Sequence, residues 1–196
     1  MPKRVIILSI LLLAFVTTMV HAQGGISATY EIRQEEPTDG LGFRVEKQFS
    51  SDENFINLGV VGHTSIFNKN ITLKRTVTNG SAMLFDQIDL STFDIGLAIK
   101  LAANAPLVTP YLMGGLGFEN YSLKADARTG QVNVPADDRS LMLNASVGIQ
   151  LRLIPAIRPF AEMRFSQNIS DYEFEQVYDN LEVSKNRLAF GIQLRF

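Results

Sequence analysis

One histidine and one serine, separated by a single residue, form the arrangement in this sequence that best fits catalysis. His63 and Ser65 flank Thr64, and residues i and i+2 of an extended strand point to the same side. A serine hydroxyl with a histidine base beside it is a nucleophile suited to ester substrates. A match of three residues is weak, and a polar pair packed inside the protein accounts for it more simply. We therefore expect no enzyme and keep His63 and Ser65 only as a candidate pair.

Charged residues at alternate positions form the largest group with possible chemistry. The basic members are Arg33, Arg44, Lys100, Arg152, Arg158, Arg164, Arg187 and Arg195. The acidic members are Glu31, Glu46, Asp94, Glu119 and Glu162. Enclosed charges of a single sign would be very costly, so we expect arginine–carboxylate pairs wherever this set is buried. The set could form either a path for ions or solutes, or a satisfied polar core.

The composition offers few other reactive groups. The chain has no cysteine, and His63 is the only histidine after residue 22, so we expect neither a histidine-based metal site nor a cofactor. Without disulfides, the domain must be held together by its own secondary structure. Acidic residues outnumber basic ones by 20 to 18, which argues against nucleic-acid binding.

The first 22 residues have the pattern of a cleaved signal peptide. Lys3 and Arg4 precede the apolar run Val5–Phe15, and Val20-His21-Ala22 offers small residues for a peptidase. The apolar stretch from Val5 to Val20 has 16 residues, whereas a membrane-spanning helix needs roughly 20. We therefore expect cleavage before Gln23, leaving residues 23–196 as one exported domain.

The exported domain lacks helical periodicity and instead alternates apolar residues with polar or small ones. In the last run, for example, Leu188, Phe190 and Ile192 share one face. About eight runs of roughly 10 residues show this alternation; they cover residues 26–33, 41–46, 55–66, 93–101, 108–121, 141–153, 157–166 and 188–196. Because side chains alternate across a strand, the pattern predicts eight strands with two chemically different faces.

The connections between the runs also alternate in length. Short ones lie at residues 51–53, 103–106 and 154–156, and long polar ones at 68–86, 124–138 and 169–184. Only the first of the outer connections, residues 34–39, is short. Short turns at one end and long loops at the other are typical of a transmembrane β-barrel. Asn79-Gly80 suits a tight hairpin tip, so residues 68–86 could continue as a β-ribbon above the membrane.

The position of the glycines indicates which face is enclosed. They occupy the same alternate strand positions as the charged residues, and therefore the same face; the set is Gly42, Gly59, Gly96, Gly115, Gly117, Gly148 and Gly191. On the outside of a soluble, lipocalin-like barrel they would weaken the strands without benefit. Inside an eight-stranded barrel they make room, because that lumen is only wide enough to be filled by side chains. We therefore predict an inside-out, all-β, antiparallel up-and-down barrel with a polar core rather than a solute path.

Two further expectations follow from a lipid environment. An open sheet edge would leave backbone groups unsatisfied in hydrocarbon, so the first run must pair with the last. Lys47 has the parity of the lipid-facing residues, but it lies near a short turn, where its amine can reach the interface.

The last eight residues carry the clearest resemblance to a known family. The ending 189–196, AFGIQLRF, resembles the C-terminal assembly signal of bacterial outer-membrane proteins through Gly191, Leu194 and Phe196. Ala189 departs from it, since a polar residue is usual there. The exported domain as a whole resembles the small outer-membrane barrels related to OmpA's membrane domain and OmpX, and residues 110–118 are typical of their fifth strand.

The resemblance implies a monomer in the bacterial outer membrane, in contact with its lipids and lipopolysaccharide. It also implies insertion by the β-barrel assembly machinery after periplasmic chaperoning. With no tryptophan in the chain, phenylalanine and tyrosine must form the interfacial girdles. The acidic stretch 169–184 could be bridged to lipopolysaccharide by divalent cations, but a solvated loop explains it better, because no ligand spacing repeats.

The His63–Ser65 pair resembles the His-x-Ser pair of lipid A deacylases, which are also small outer-membrane barrels. In that family the pair lies late in the chain, whereas here it lies on the third run, near its outer end, and its parity points into the lumen. Our leading hypothesis is thus a structural or surface-interacting barrel. The alternatives are a narrow porin-like channel and a barrel hydrolase that modifies lipid A.

Overall fold

A computed structural model describes residues 23–34, 37–50, 54–76, 83–125, 137–169 and 186–196. Eight strands follow one another along the chain: β1 (Gly24–Arg33), β2 (Asp39–Gln48), β3 (Ile56–Thr76), β4 (Met83–Ala103), β5 (Val108–Ala125), β6 (Asp137–Leu151), β7 (Ile157–Asn168) and β8 (Asn186–Arg195). Each strand pairs with its sequence neighbour, and the sheet closes into a barrel. The predicted all-β, eight-stranded, up-and-down barrel is confirmed.

Closure depends on an antiparallel ladder between the first and last strands. β1 pairs with β8 from Gly25↔Arg195 to Arg33↔Arg187, as the alternation predicted. Because every strand has two neighbours in the barrel wall, the wall has no open edge that would need water or another chain. Hereafter the turn end is the end with the connections 49–55, 104–107 and 152–156, and the loop end is the opposite one.

The longest strands form a ribbon that continues past the rest of the barrel. β3 and β4 have 21 residues each and stay paired from Ile56↔Ala103 to Thr76↔Met83. The last register pair between β2 and β3 is Gly40↔Phe67. Beyond that pair, the ribbon is joined to the rest of the sheet only through pairing of β4 with β5. Most of the polar stretch 68–86 is therefore strand, as the expected ribbon requires. Its proposed tip, Asn79-Gly80, lies outside the described residues.

The barrel is polar inside and apolar outside. Leu41, Leu97 and Phe118 are exposed by 69%, 63% and 61%, whereas Glu31 and Asp94 are exposed by 1% and 0%. A water-soluble barrel has the opposite arrangement, because contiguous exposed apolar surface is unfavourable in water. This polarity is that of a transmembrane barrel. Within the described ranges, no helix has the length and apolar character to cross a membrane.

Aromatic side chains are exposed at two levels of the outer surface. Those in the half nearer the loop end are Tyr30, Phe43, Phe93, Phe118, Phe165 and Phe190; those at the turn end are Phe49, Phe55 and Phe196. Phenylalanine and tyrosine thus occupy the positions of the interfacial girdles of membrane barrels. Lys47 lies on the outward face beside Gly24, near the turn end, where its amine can reach the interface.

Candidate functional site: the side-chain network of the lumen

The charged residues predicted to line the lumen occupy alternate positions of each strand, and this alternation directs their side chains inward. Eleven of its members are buried: Glu31, Arg33, Arg44, Glu46, Asp94, Lys100, Glu119, Arg158, Glu162, Arg164 and Arg187. The other two, Arg152 and Arg195, lie at the turn end and are partly exposed. Ten of the buried members form three clusters stacked along the barrel, and the eleventh, Arg158, lies near the turn end.

The loop-end cluster consists of two arginines and three carboxylates: Arg33, Arg187, Glu31, Asp94 and Glu119. Arg33 Nη2 lies 2.5 Å from Glu119 Oε1. Arg187 Nη1 lies 3.1 Å from Glu31 Oε2 and is also bonded to Asp94. Because both guanidinium groups are buried, several carboxylates are needed to offset their lost hydration.

Aromatic and apolar side chains pack around this cluster inside the lumen. The Arg33 guanidinium stacks 3.8 Å from the centre of the Phe67 ring, and Arg187 lies 5.5 Å from that centre. Arg33 Nη1 donates to the Tyr121 hydroxyl over 3.0 Å. Four such side chains are each 1% exposed: Phe67, Leu90, Tyr121 and Met142. The alternation predicted the inward position of Met142, beside Asn144, but Phe67, Leu90 and Tyr121 were not predicted to lie inside, although they occupy the same face as Ser65, Asp94 and Glu119.

The central cluster surrounds Glu162. Arg44 donates to both of its carboxylate oxygens, over 2.6 and 3.1 Å, and the Tyr111 hydroxyl donates to Oε2 over 3.0 Å. Arg164 Nε is 3.4 Å from Oε1. The fork of Arg44 matches the carboxylate in the bidentate geometry typical of strong charge-assisted pairs.

The turn-end cluster surrounds Glu46. Its carboxylate accepts hydrogen bonds from Lys100 Nζ over 2.8 Å, Gln48 over 2.8 Å and Gln193 over 2.9 Å. Gln150 donates to Gln193, so amides extend the network across the lumen. Together these bonds satisfy a buried carboxylate that would otherwise be very costly.

The remaining arginines surround the turn-end opening. Arg195 donates to the Gln48 amide oxygen, and Arg152 Nη1 to the Ala105 carbonyl over 3.4 Å. Arg158 is 4% exposed. Arginine–carboxylate pairs, as expected, form the two deeper clusters.

Glycines leave room for aromatic rings from the neighbouring strand. Tyr111 faces Gly148 across β5 and β6, and Phe160 faces Gly191 across β7 and β8. A Cβ on either glycine would overlap the ring opposite it. Gly96 accommodates the His63 imidazole in the same way. The glycine parity noted in the sequence therefore reflects close packing inside the lumen.

The candidate pair His63 and Ser65 lies inside the barrel with other partners. His63 is 7% exposed and Ser65 is 1% exposed. The Ser65 hydroxyl donates to Glu31 over 2.9 Å, and His63 Nε2 lies 3.8 Å from Asp94 Oδ1 without a hydrogen-bond partner in the described structure. Because β3 continues to Thr76, the pair lies mid-strand and not near the outer end as expected.

This geometry does not resemble a nucleophile with its base. The serine hydroxyl is bonded to a carboxylate rather than to the imidazole, and neither group faces the lipid side of the wall. Over the ranges that can be described, no three histidine or acidic side chains are placed to hold a metal ion. Apart from Ile169, the acidic stretch 169–184 lies outside those ranges.

No family model matches the chain, and no curated protein is similar to it in sequence. Solved structures are similar in fold. A major outer membrane protein from Thermus thermophilus has a TM-score of 0.59 at 13% identity, over 90% of this chain and 100% of that one.

Two other barrels match as well. The N-terminal β-barrel domain of Pseudomonas aeruginosa OprF has a TM-score of 0.55 at 11% identity, covering 89% of this chain and 98% of that one. Ail of Yersinia pestis, crystallised with the heparin analogue sucrose octasulfate, has a TM-score of 0.54 at 15% identity, covering 89% and 99%. The protein has the fold of the small outer-membrane barrels that its C-terminal residues resemble.

Proposed function

We propose that this protein is an integral protein of the bacterial outer membrane with a closed, non-conducting lumen. Its role would be structural, in envelope integrity, or interactive, through the connections at the loop end and the β3–β4 ribbon. The proposed orientation places the turn end in the periplasm and the loop end outside the cell, as in other transmembrane barrels. Export would use residues 1–22, and insertion would use the β-barrel assembly machinery.

The filled lumen carries this proposal. Three charged clusters cross it. Aromatic rings pack beside these clusters: Phe67 and Tyr121 at the loop end, Tyr111 and Phe160 toward the turn end. A cavity of only ≈10 Å³ lies among the side chains of the turn-end half. A hydrated ion would have to displace buried ion pairs to pass, which costs several kcal/mol for each charge left unpaired. The narrow porin-like channel is therefore the less favoured interpretation.

Planar-bilayer recordings test the closed lumen. We expect purified barrel, folded as judged by gel mobility, to insert without producing steady conductance steps. The double variant Tyr111→Ala, Phe160→Ala removes two of the rings and is the positive control. Conductance steps from this variant would show that the recordings detect inserted molecules when a path is open. Uniform steps from the unmodified protein in every recording would contradict the proposal and favour a channel.

A second test addresses lipid A hydrolysis. We expect vesicles containing lipopolysaccharide and the folded protein to release no fatty acid, because Ser65 is bound to Glu31 inside the lumen. Release that depends on Ser65, and is lost in Ser65→Ala, would restore the hydrolase interpretation. Ser140→Ala, another buried inward serine, is the matched control.

A further inference from the structure

A small cavity lies in the turn-end half of the lumen, between the Glu162 and Glu46 clusters. Its volume is ≈10 Å³, and Ser27, Arg44, Glu46 and Lys100 are among the polar residues that line it. Ser27 stands between two other lining residues in the sheet, since it faces Arg44 on β2 and Gln193 on β8. A cavity of this size holds one guest about as large as a water molecule or a halide ion.

Arg44, which lines this space, has an unused donor. Both of its terminal nitrogens donate to Glu162, but its Nε is buried and has no hydrogen-bond partner in the described structure. The residue is only 5% exposed, so bulk water cannot supply an acceptor. A buried charged donor without an acceptor is costly. A guest in the cavity that accepts a hydrogen bond from Nε would remove this cost.

The carboxylate beside the cavity already accepts three hydrogen bonds. Glu46 accepts hydrogen bonds from Lys100, Gln48 and Gln193. A water molecule would bring two hydrogens of its own that need acceptors, whereas the lining residues Arg44 and Lys100 carry only donors and Ser27 adds a hydroxyl. An ion that only accepts hydrogen bonds fits this donor-rich space better.

The charge of this half of the lumen also favours an anion. Among the described residues, the cations of the central and turn-end clusters are Arg44, Lys100 and Arg164, and the carboxylates are Glu46 and Glu162. At the loop end, by contrast, Arg33 and Arg187 face three carboxylates. Fixed positive charge in a region of low dielectric attracts a small negative guest.

We propose that this cavity binds one small monovalent inorganic anion, chloride under cellular conditions, which accepts a hydrogen bond from Arg44 Nε. The Ser27 hydroxyl is the neutral donor beside it, and Lys100 supplies additional positive charge. The anion stabilises the folded barrel by linking β1, β2 and β4. The proposal does not depend on the role of the protein in the membrane.

Thermal unfolding in detergent micelles provides the first test. The folded barrel, dialysed free of halide, is heated in sodium chloride or bromide and in sodium sulfate of the same ionic strength. We expect a saturable rise of several degrees in the midpoint with chloride and bromide only, because a ligand bound by the folded state alone stabilises it, and sulfate is too large for the cavity. Equal midpoints in all three salts would overturn the proposal.

Crystals grown in sodium bromide provide a direct test with the unmodified protein. We expect an anomalous difference peak in the cavity next to Arg44. An ordered water there, with no anomalous signal, would show that the guest is solvent and would rule the anion out even if the midpoints differed.

A cavity-filling variant separates this site from general salt effects. Ser27→Val occupies the space with methyl groups, and we expect it to fold but to lose the halide dependence of its midpoint. Ser146→Val is the matched control, because Ser146 is also a buried inward serine but does not line the cavity; it should keep the dependence. Loss in both variants, or in neither, contradicts the assignment. This design avoids Arg44 itself, whose replacement would leave Glu162 without its main partner.

Discussion

At the scale of single residues, the inward glycines act as spaces for rings on the neighbouring strand. Gly148 and Tyr111 are cross-strand partners, and the ring covers the position that a Cβ at Gly148 would occupy. The Tyr111 hydroxyl in turn donates to Glu162. Packing at one glycine therefore supports the central charge cluster.

Substituting this glycine should destabilise the barrel. We expect Gly148→Ala to lower the free energy of unfolding by about 1–3 kcal/mol, the usual cost of overpacking an enclosed site, as measured by urea titration in micelles. Gly114→Ala is the control, because no atom lies within 4 Å of the added Cβ on the outer face. Equal effects of the two variants would show that the ring does not rest on Gly148.

Arg187 is the residue whose loss should disturb the charge network most. It contacts Glu31 and Asp94 and lies 3.9 Å from Glu119. Arg187→Met leaves these buried carboxylates with too little positive charge, and we expect a loss of about 3–5 kcal/mol in unfolding free energy.

The comparison variant is Arg139→Met, which changes an exposed arginine on the outer face. Exposed polar contacts contribute little, so its effect should stay within about 1 kcal/mol. If both variants lose the same stability, burial of the network contributes nothing to the fold.

Parity in the sequence predicted which of these residues point inward, but not their partners. Arg33 and Glu119 pair although 86 positions separate them, and Arg195 donates to the amide oxygen of Gln48. Partners depend on the register between strands and on the tilt of the closed sheet, which alternation within a single strand does not contain.

At the scale of elements, the β3–β4 ribbon should be separable from the barrel. Lys69 and Leu90 are register partners and lie beyond the last β2–β3 pair. Replacing residues 70–89 with Asn-Gly closes the ribbon there with a two-residue turn. We expect the shortened chain to fold, because the wall between the girdles keeps all eight strands, and to run as a compact band on an unheated gel.

Deletion of a single residue within the wall is the contrasting control. Removing Ile99 shifts β4 by one position against β3 and β5, which turns apolar side chains inward and charged ones toward lipid on one side of the gap. We expect this variant not to fold. Folding of the deletion variant, or failure of the shortened ribbon, would contradict this division into wall and ribbon.

At the scale of the whole molecule, the barrel has an apolar outer surface and a polar interior, the opposite of a water-soluble protein. This arrangement should determine where the protein resides. We expect the mature chain to fractionate with the outer membrane, to need detergent for extraction, and to change its gel mobility on boiling. An apolar belt of this extent has no stable place in water. Recovery in a detergent-free periplasmic extract, with no heat-dependent mobility, would contradict a membrane location.

The strand count, the two faces of each strand and the closure of the first strand on the last could all be predicted from the residues alone. These follow from local alternation and from the requirement that backbone groups be satisfied in hydrocarbon. Tertiary structure alone decided how far β3 and β4 extend, which carboxylate each arginine meets and which rings fill the lumen. In the folded barrel, His63 and Ser65 lie among charged side chains, and the serine hydroxyl is bonded to Glu31 rather than to the imidazole. The reason is physical: alternation acts between neighbours on one strand, whereas register, tilt and the width of the closed barrel arise only when all eight strands meet.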